Sequence, residues 1–244
     1  MKYIKNATVA ASECDTLVRM SPLGAFALVE NMVTELMGTL KIDGLTCMRE
    51  YGAMWVFVKN RIELRRHLKW MEAYTAECYI SSCSTAKLLI DTVVKREGEV
   101  AIASRLELCA VDLKTRRIRP TATVGLSETD AVEEPEIQMS FSRDLYEPQD
   151  IPVRDIIVHS TDIDYCHHMN NIAYIRLLLN RYPVRDLERT PIKAIEVQYL
   201  NQIYEGERLQ IENCGNHHYM IRNKQKVAVH CKFELEENKS ERVQ

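Results

Sequence analysis

Apolar positions along the chain change period several times, and each change marks an element. Ala25, Leu28, Val29, Met32, Val33, Leu36 and Leu40 recur at the three-and-four spacing of one helix face. Ser21 and Pro22 stand at its head, a capping hydroxyl followed by a ring pre-set for the first helical position. The stripe is wide enough for a helix buried along most of its length. After a loop containing Gly44 and Gly52, alternating and β-branched residues predict strands over 54–64, 73–81, 87–95 and 100–113. Lys95-Arg-Glu-Gly-Glu99 reads as a hairpin turn in which Gly98 supplies a positive φ. Residues 8–19 are expected to form a less regular strand ahead of the helix.

The plan then returns. A strand is predicted over 151–159 and a helix over 170–182, followed by Pro183. Four strands over 192–203, 207–214, 217–222 and 227–235 come next, with Asn223-Lys-Gln-Lys226 in the hairpin position of 95–99. Acidic residues 127–150, with Pro135 and Pro148, separate the copies and read as a linker over the surface. Strand, long helix and four strands, twice over with little identity, is a repeat of architecture. The expected class is α+β, a double hotdog: two antiparallel sheets, each wrapped around a central helix, joined edge to edge so that each covers the edge the other exposes. Residues 1–126 would form the N-terminal hotdog, 127–150 the linker and 151–244 the C-terminal hotdog.

Composition narrows the setting. The 244 residues are 46% hydrophobic and 27% charged with net charge −3, so the chain can bury a core but offers no global attraction for nucleic acid. Eight cysteines (14, 47, 78, 83, 109, 166, 214 and 231) lie scattered without a CxxC pair, the pattern of reduced thiols in a cytosolic protein. No apolar run reaches the length of a membrane span, and the Met-Lys-Tyr-Ile-Lys-Asn start lacks the apolar core of a signal peptide. A cytoplasmic location follows as an expectation.

Chemistry concentrates in Ser160-Thr-Asp-Ile-Asp-Tyr-Cys-His-His-Met-Asn-Asn-Ile-Ala-Tyr-Ile175. It holds Asp162, Asp164, Cys166, His167, His168, Asn170 and Asn171 just ahead of a helix whose free N–H groups favour negative charge. Asp and Asn alone would be ordinary capping residues. A Cys and a His spaced i, i+2 among them point instead to a site. A zinc site is disfavoured, because four ligands in one short turn make poor tetrahedral geometry. In the first copy Met20-Ser-Pro-Leu-Gly24 reads as the equivalent place, and with neither acid nor His that half would lack the chemistry.

With these motifs in view, the sequence resembles the acyl-acyl-carrier-protein thioesterases of plants and bacteria over roughly residues 3–236. Thr161-Asp-Ile-Asp-Tyr-Cys-His-His-Met-Asn-Asn-Ile-Ala-Tyr-Ile175 is similar to that family's S-D-x-D-x-N-x-H-V-N-N-x-x-Y-I signature. Trp55-Val-Phe-Val, Ser104 and Leu113-Lys-Thr-Arg-Arg-Ile-Arg119 resemble its I-W-V and T-R-R-L segments. The resemblance implies hydrolysis of fatty acyl thioesters, with Asp164 and His168 at the catalytic Asp and His positions. Cys166 falls where the plant enzymes have Asn. Tyr199-Leu-Asn-Gln-Ile203 stands where they have Tyr-Arg-Arg-Glu-Cys, so Gln202 replaces the Glu and Ile203 removes the Cys.

The implied chemistry is attack by water. Asp164 or His168 would be the base, N–H groups at Asn170 and Asn171 would polarise the carbonyl, and Gln202 would hold water or substrate. The second route is covalent, with Cys166 as nucleophile and His168 as its base. The first copy would shape the acyl-chain pocket, where stripe residues such as Val29, Met32 and Leu36 serve lining and core packing equally well. The implied partner is acyl carrier protein bearing a fatty acyl phosphopantetheine. Arg61, Arg65, Arg66, His67 and Lys69 form one candidate docking patch, and Lys114, Arg116, Arg117 and Arg119 another. No cofactor, nucleic acid or membrane span is implied, and the chain would be a monomer or homodimer. An acyl-CoA thioesterase and a non-catalytic acyl-thioester sensor are the alternatives.

Overall fold

A computed structural model of the chain describes residues 1–143, 153–224 and 226–236. The chain divides into two compact units, Met1–Ser140 and Phe141–Gln244. In the first, strand β1 (Lys2–Thr8) leads through a loop into helix α1 (Pro22–Thr39) and the single turn α2 (Gly44–Thr46). Four long strands follow: β2 (Ala53–Leu64), β3 (Ala73–Cys83), β4 (Leu88–Arg96) and β5 (Glu99–Asp112), with the short β6 (Ile118–Arg119) against the end of β5. All pairings are antiparallel, in the order β1-β3-β4-β5-β2. The turn between β4 and β5 has positive φ at both Glu97 and Gly98, the two-residue hairpin geometry that the sequence predicts.

Helix α1 lies against β1, β2, β3 and β4. Phe26, Val29, Met32, Val33 and Leu36 on it are all buried. Each such burial contributes about 1.5–3 kcal/mol, whereas each helical glycine costs about 1 kcal/mol. Packing therefore wins over the propensity penalty of Gly24 and Gly38. Ser21 caps the helix by accepting the Gly24 N–H at 3.0 Å. Gly24 itself is required by space, since a β-carbon there would sit 2.6 Å from the Glu13 carbonyl oxygen.

The second unit repeats the order. Strand β7 (Val153–Ile157) precedes helices α3 (Asn171–Leu179) and α4 (Val184–Arg189). Strands β8 (Ile192–Tyr199), β9 (Arg208–Asn213), β10 (His218–Asn223) and β11 (Lys226–Leu235) follow. They pair antiparallel in the order β7-β9-β10-β11-β8, the connectivity of the first unit. The helix expected over 170–182 ends early, at Leu179, and after Pro183 a separate short helix α4 forms that the sequence reading did not include. Residues 8–19 are not a strand either. Beyond Thr8 the chain forms a 3-10 turn at Ala11–Glu13 and a tight loop. Of the expected strand over 151–159, residues 151 and 152 lie outside the described residues, as do 144–150 of the expected linker.

Residues 131–139 pack on the sheet of the first unit. Ile137 and Met139 are buried against Tyr79, Val93 and Ala103, and the Glu136 N–H donates to the Tyr79 hydroxyl at 2.9 Å. Arg105 fastens the segment. Its guanidinium donates twice to the fully buried Asp91 carboxylate, at 2.7 Å each, and also to the carbonyls of Ile137 and Met139. Removing one partner of such a pair strands a buried charge. Arg105→Met should therefore cost about 3–5 kcal/mol in urea unfolding, and Asp91→Leu added to it should recover most of the loss.

Candidate active site

The polar loop is built by backbone hydrogen bonds to its own carboxylates. After a 3-10 turn at Ser160–Asp162, Asp162 takes the His159 N–H at 2.9 Å and pairs with Arg176 of α3. The Asn170 N–H returns to the Asp162 carbonyl at 2.8 Å, which closes the loop at its base. Asp162 is buried and serves as a brace. One layer further in, the Asp164 N–H donates to the His168 carbonyl at 3.0 Å, and the Cys166 N–H donates to Asp164 Oδ1 at 2.8 Å. His167 turns the chain at φ 62°, a left-handed position that His tolerates better than most residues, and its side chain is exposed.

This folding brings three of the expected residues together. Asp164 Oδ2 stands 3.9 Å from His168 Nδ1, with 17% and 19% of the two side chains exposed. That separation is beyond a direct hydrogen bond. It suits a shared third atom, and the exposure is enough for water to arrive. The Cys166 sulfur joins them, so that donor atoms of Asp164, Cys166 and His168 lie within 4.8 Å of one another. Burial first, and then the Asp164 charge, push the Cys166 thiol above its ordinary pKa. This opposes the lowering expected from a helix N-terminus and an imidazole, and it counts against a resting thiolate.

The amides take other places. Asn170 is the cap of α3, its Oδ1 accepting the Ile172 N–H at 2.8 Å. The Ala173 N–H goes to the Asn170 carbonyl, so Asn171 offers the first helix N–H without a partner among the described residues. Gln202 is exposed, and its amide oxygen accepts from the Tyr204 hydroxyl at 3.1 Å. Among the described residues no hydrogen bond joins its side chain to Asp164, Cys166 or His168. Its neighbour Ile203 is tied to the loop, the carbonyl accepting the Met169 N–H at 2.7 Å.

A second copy of this loop exists in the first unit, contrary to the sequence reading, which aligned Met20–Gly24 with it. Glu13, Asp15, Arg19 and Ser21 occupy the spacing of Asp162, Asp164, His168 and Asn170. Four of the bonds recur. Glu13 takes the Ala10 N–H, Asp15 Oδ1 the Leu17 N–H at 2.9 Å, the Glu13 carbonyl the Ser21 N–H, and the Leu68 carbonyl the Met20 N–H at 2.7 Å. Val18 turns at φ 59° where His167 does. The chemistry differs. Leu17 replaces Cys166, and Arg19 Nε closes on Asp15 Oδ2 at 2.8 Å. The signal was legible in the spacing of acid, acid, base and cap, but the apolar residues between them read as a strand.

Comparison with known proteins bears on this geometry directly. Residues 146–244 match the acyl-ACP thioesterase C-terminal domain. The resemblance read from the loop is therefore supported over this segment, which is similar to the C-terminal domain of the acyl-ACP thioesterases. Among curated proteins it is similar to oleoyl-acyl carrier protein thioesterase 2, chloroplastic, of Arabidopsis thaliana, at 20% identity over 172 residues. That alignment covers 66% of this chain and 47% of the relative, so the chain spans about half the length of the relative it matches. An acyl-ACP thioesterase from Bacteroides thetaiotaomicron superposes with a TM-score of 0.84 at 18% identity, over 96% of this chain and 98% of that one. The 12:0-ACP thioesterase from Umbellularia californica also gives 0.84, at 14% identity over 96% and 97%. At such identities the superpositions establish the fold.

The raised thiol has a measurable consequence. Alkylation of Cys166 by iodoacetamide, followed by peptide mass spectrometry, should be slower at pH 7.5 than that of a free cysteine. It should keep rising as the pH is raised past the range in which an ordinary thiol titrates, because only the thiolate reacts. A rate already flat between about pH 7 and 8 would contradict the assignment.

Proposed function

We propose that the chain hydrolyses the thioester of fatty acyl-acyl-carrier-protein, releasing free fatty acid and so ending chain elongation. The observation that carries this reading is the half-buried pair of Asp164 and His168 at the head of α3, separated by 3.9 Å, within a segment that matches the thioesterase domain. His168 takes the proton of a water whose oxygen attacks the thioester carbon, and Asp164 orients the water or the imidazole. The N–H of Asn171 and the helix N-terminus receive the oxyanion. Collapse breaks the carbon–sulfur bond, and the proton on His168 passes to the departing phosphopantetheine thiolate. Gln202 would position substrate at the edge of the site, and Cys166 would fill a small polar place beside the water.

In this reading the chain is a double hotdog, with residues 1–126 forming the acyl-chain pocket, 127–150 the linker and 151–244 carrying the reaction. Acyl carrier protein is acidic, and the 114–119 patch suits it better than the 61–69 patch. In the latter, Arg61 and Arg65 are paired with Glu63, and Arg66 with Glu99. In the former, Arg119 faces Asp112 at 3.7 Å and Arg116 reaches the Met54 sulfur. Eight unbridged cysteines accord with a cytoplasmic location, and no helix among the described residues is long and apolar enough to cross a membrane.

Thiol release from acyl-carrier-protein and acyl-CoA substrates tests the reading. Asp164→Ala and His168→Ala should each lower turnover by about 10²–10⁴-fold, the range for loss of a positioned acid or base. Cys166→Ala should keep most of it. Loss of all activity in Cys166→Ala would favour the acyl-enzyme route, and faster turnover of CoA substrates would favour the acyl-CoA alternative. A wild-type chain that binds acyl thioesters and releases no thiol would be a sensor.

A further inference from the structure

The convergence of Asp164, Cys166 and His168 has a chemistry that the proposed hydrolysis does not use. Carboxylate oxygen, thiolate sulfur and imidazole nitrogen are the three ligand types that Zn²⁺ accepts, at about 2.0–2.3 Å, so that ligand atoms around a tetrahedral ion stand about 3.3–3.8 Å apart. Here the three donor atoms lie within 4.8 Å, and Asp164 Oδ2 and His168 Nδ1 already stand at 3.9 Å. Among the described residues this is the one group of three such donors so placed. Side-chain rotations closing the set by about 1 Å reach the metal distance. The objection from the sequence, that one short turn cannot supply four ligands, does not apply to three ligands with an open fourth position.

The loop also aims the donors. Asp164 Oδ1 is held by the Cys166 N–H, which leaves Oδ2 for the imidazole side. The left-handed turn at His167 folds positions 164, 166 and 168 around one point while His167 itself stays outside. The first unit supplies an internal control. Its loop has the same backbone bonds, but Leu17 and Arg19 offer no ligand atom where Cys166 and His168 do. The metal donors are thus particular to the second loop rather than a consequence of its shape.

We infer that Asp164, Cys166 and His168 form a three-ligand site for a soft divalent transition ion, Zn²⁺ by its ligand set. The fourth position stays open to water or an external thiolate, and the bound ion arrests the site. Binding forms a zinc–sulfur bond and releases the Cys166 thiol proton to solvent, with no change in oxidation state. The ion engages Asp164 and His168 together, so neither can serve water attack. This inhibitory half rests on the hydrolytic reading; the binding half does not.

Co²⁺ is the probe, titrated into the full chain at neutral pH. One equivalent should give a thiolate-to-cobalt charge-transfer band and the strong visible absorption of a tetrahedral ion, and one equivalent of Zn²⁺ should abolish both. Cys166→Ser should lose the charge-transfer band while its far-ultraviolet circular dichroism matches wild type. His168→Gln should weaken Zn²⁺ binding by at least about 100-fold, since losing even a ligand's outer partner can cost that much. Absence of the band in wild type, or its survival in Cys166→Ser, would overturn the site. In the activity arm, Zn²⁺ should stop thiol release and a chelator should restore it. Turnover unchanged by stoichiometric, spectroscopically bound Zn²⁺ would overturn the inhibitory half and with it the catalytic assignment of Asp164 and His168, leaving the metal site standing.

Discussion

A loop that turns through a left-handed residue and feeds a helix leaves several backbone N–H groups without ordinary partners, and carboxylates meet that need here. Asp162 holds the His159 N–H and Asp164 the Cys166 N–H. Asn170 then supplies the Ile172 N–H with its cap. The candidate site depends on this, since each bond fixes one side chain of the set. Asp164 is placed because its other oxygen is already engaged, and His168 because its carbonyl receives the Asp164 N–H. Arg176 from α3 then neutralises the buried Asp162, so a cluster with two acids close together does not repel itself apart.

The same frame in the first unit shows how little separates a structural loop from a reactive one. Arg19 and Asp15 close to 2.8 Å, and a guanidinium that stays protonated has no acceptor capacity to take a proton. That loop is locked as an ion pair. His168 is shorter, has a ring nitrogen that can accept a proton, and stops 3.9 Å from Asp164. The difference of about one ångström takes the pair outside hydrogen-bond range and leaves room for a reacting atom. With Cys166 standing where the first loop has the apolar Leu17, the second loop gains both a polar interior and the donor set for a metal ion.

Much of this was legible in the sequence. The helix of the first unit follows from the stripe of Val29, Met32, Val33 and Leu36, and the strands follow from alternation and from the Glu97-Gly98 turn. Pro183 correctly set the end of the second helix region, but α3 was expected to run to residue 182 when it stops at Leu179, and α4 was not foreseen. The first-unit loop was missed because Thr8, Val9, Leu17 and Val18 mimic strand alternation. Only the hydrogen bonds reveal that Asp15 and Glu13 hold turns together rather than flank a strand. Arg176 could not be foreseen as the partner of Asp162, since the pairing joins a loop to a helix and leaves no periodic trace. The raised Cys166 thiol was likewise hidden, because burial and the Asp164 charge outweigh the helix terminus that the sequence advertises.

One frame thus carries either a locked ion pair or a reactive pair, decided by the residue at the fourth position after the acid. Substituting His168→Arg tests this by giving the second loop the pairing of the first. A guanidinium at that position should close on Asp164 across the present gap. The thermal midpoint of the variant is therefore expected at or above that of the wild type, together with loss of thioester hydrolysis. A folded His168→Arg chain that still releases thiol at the wild-type rate would contradict it.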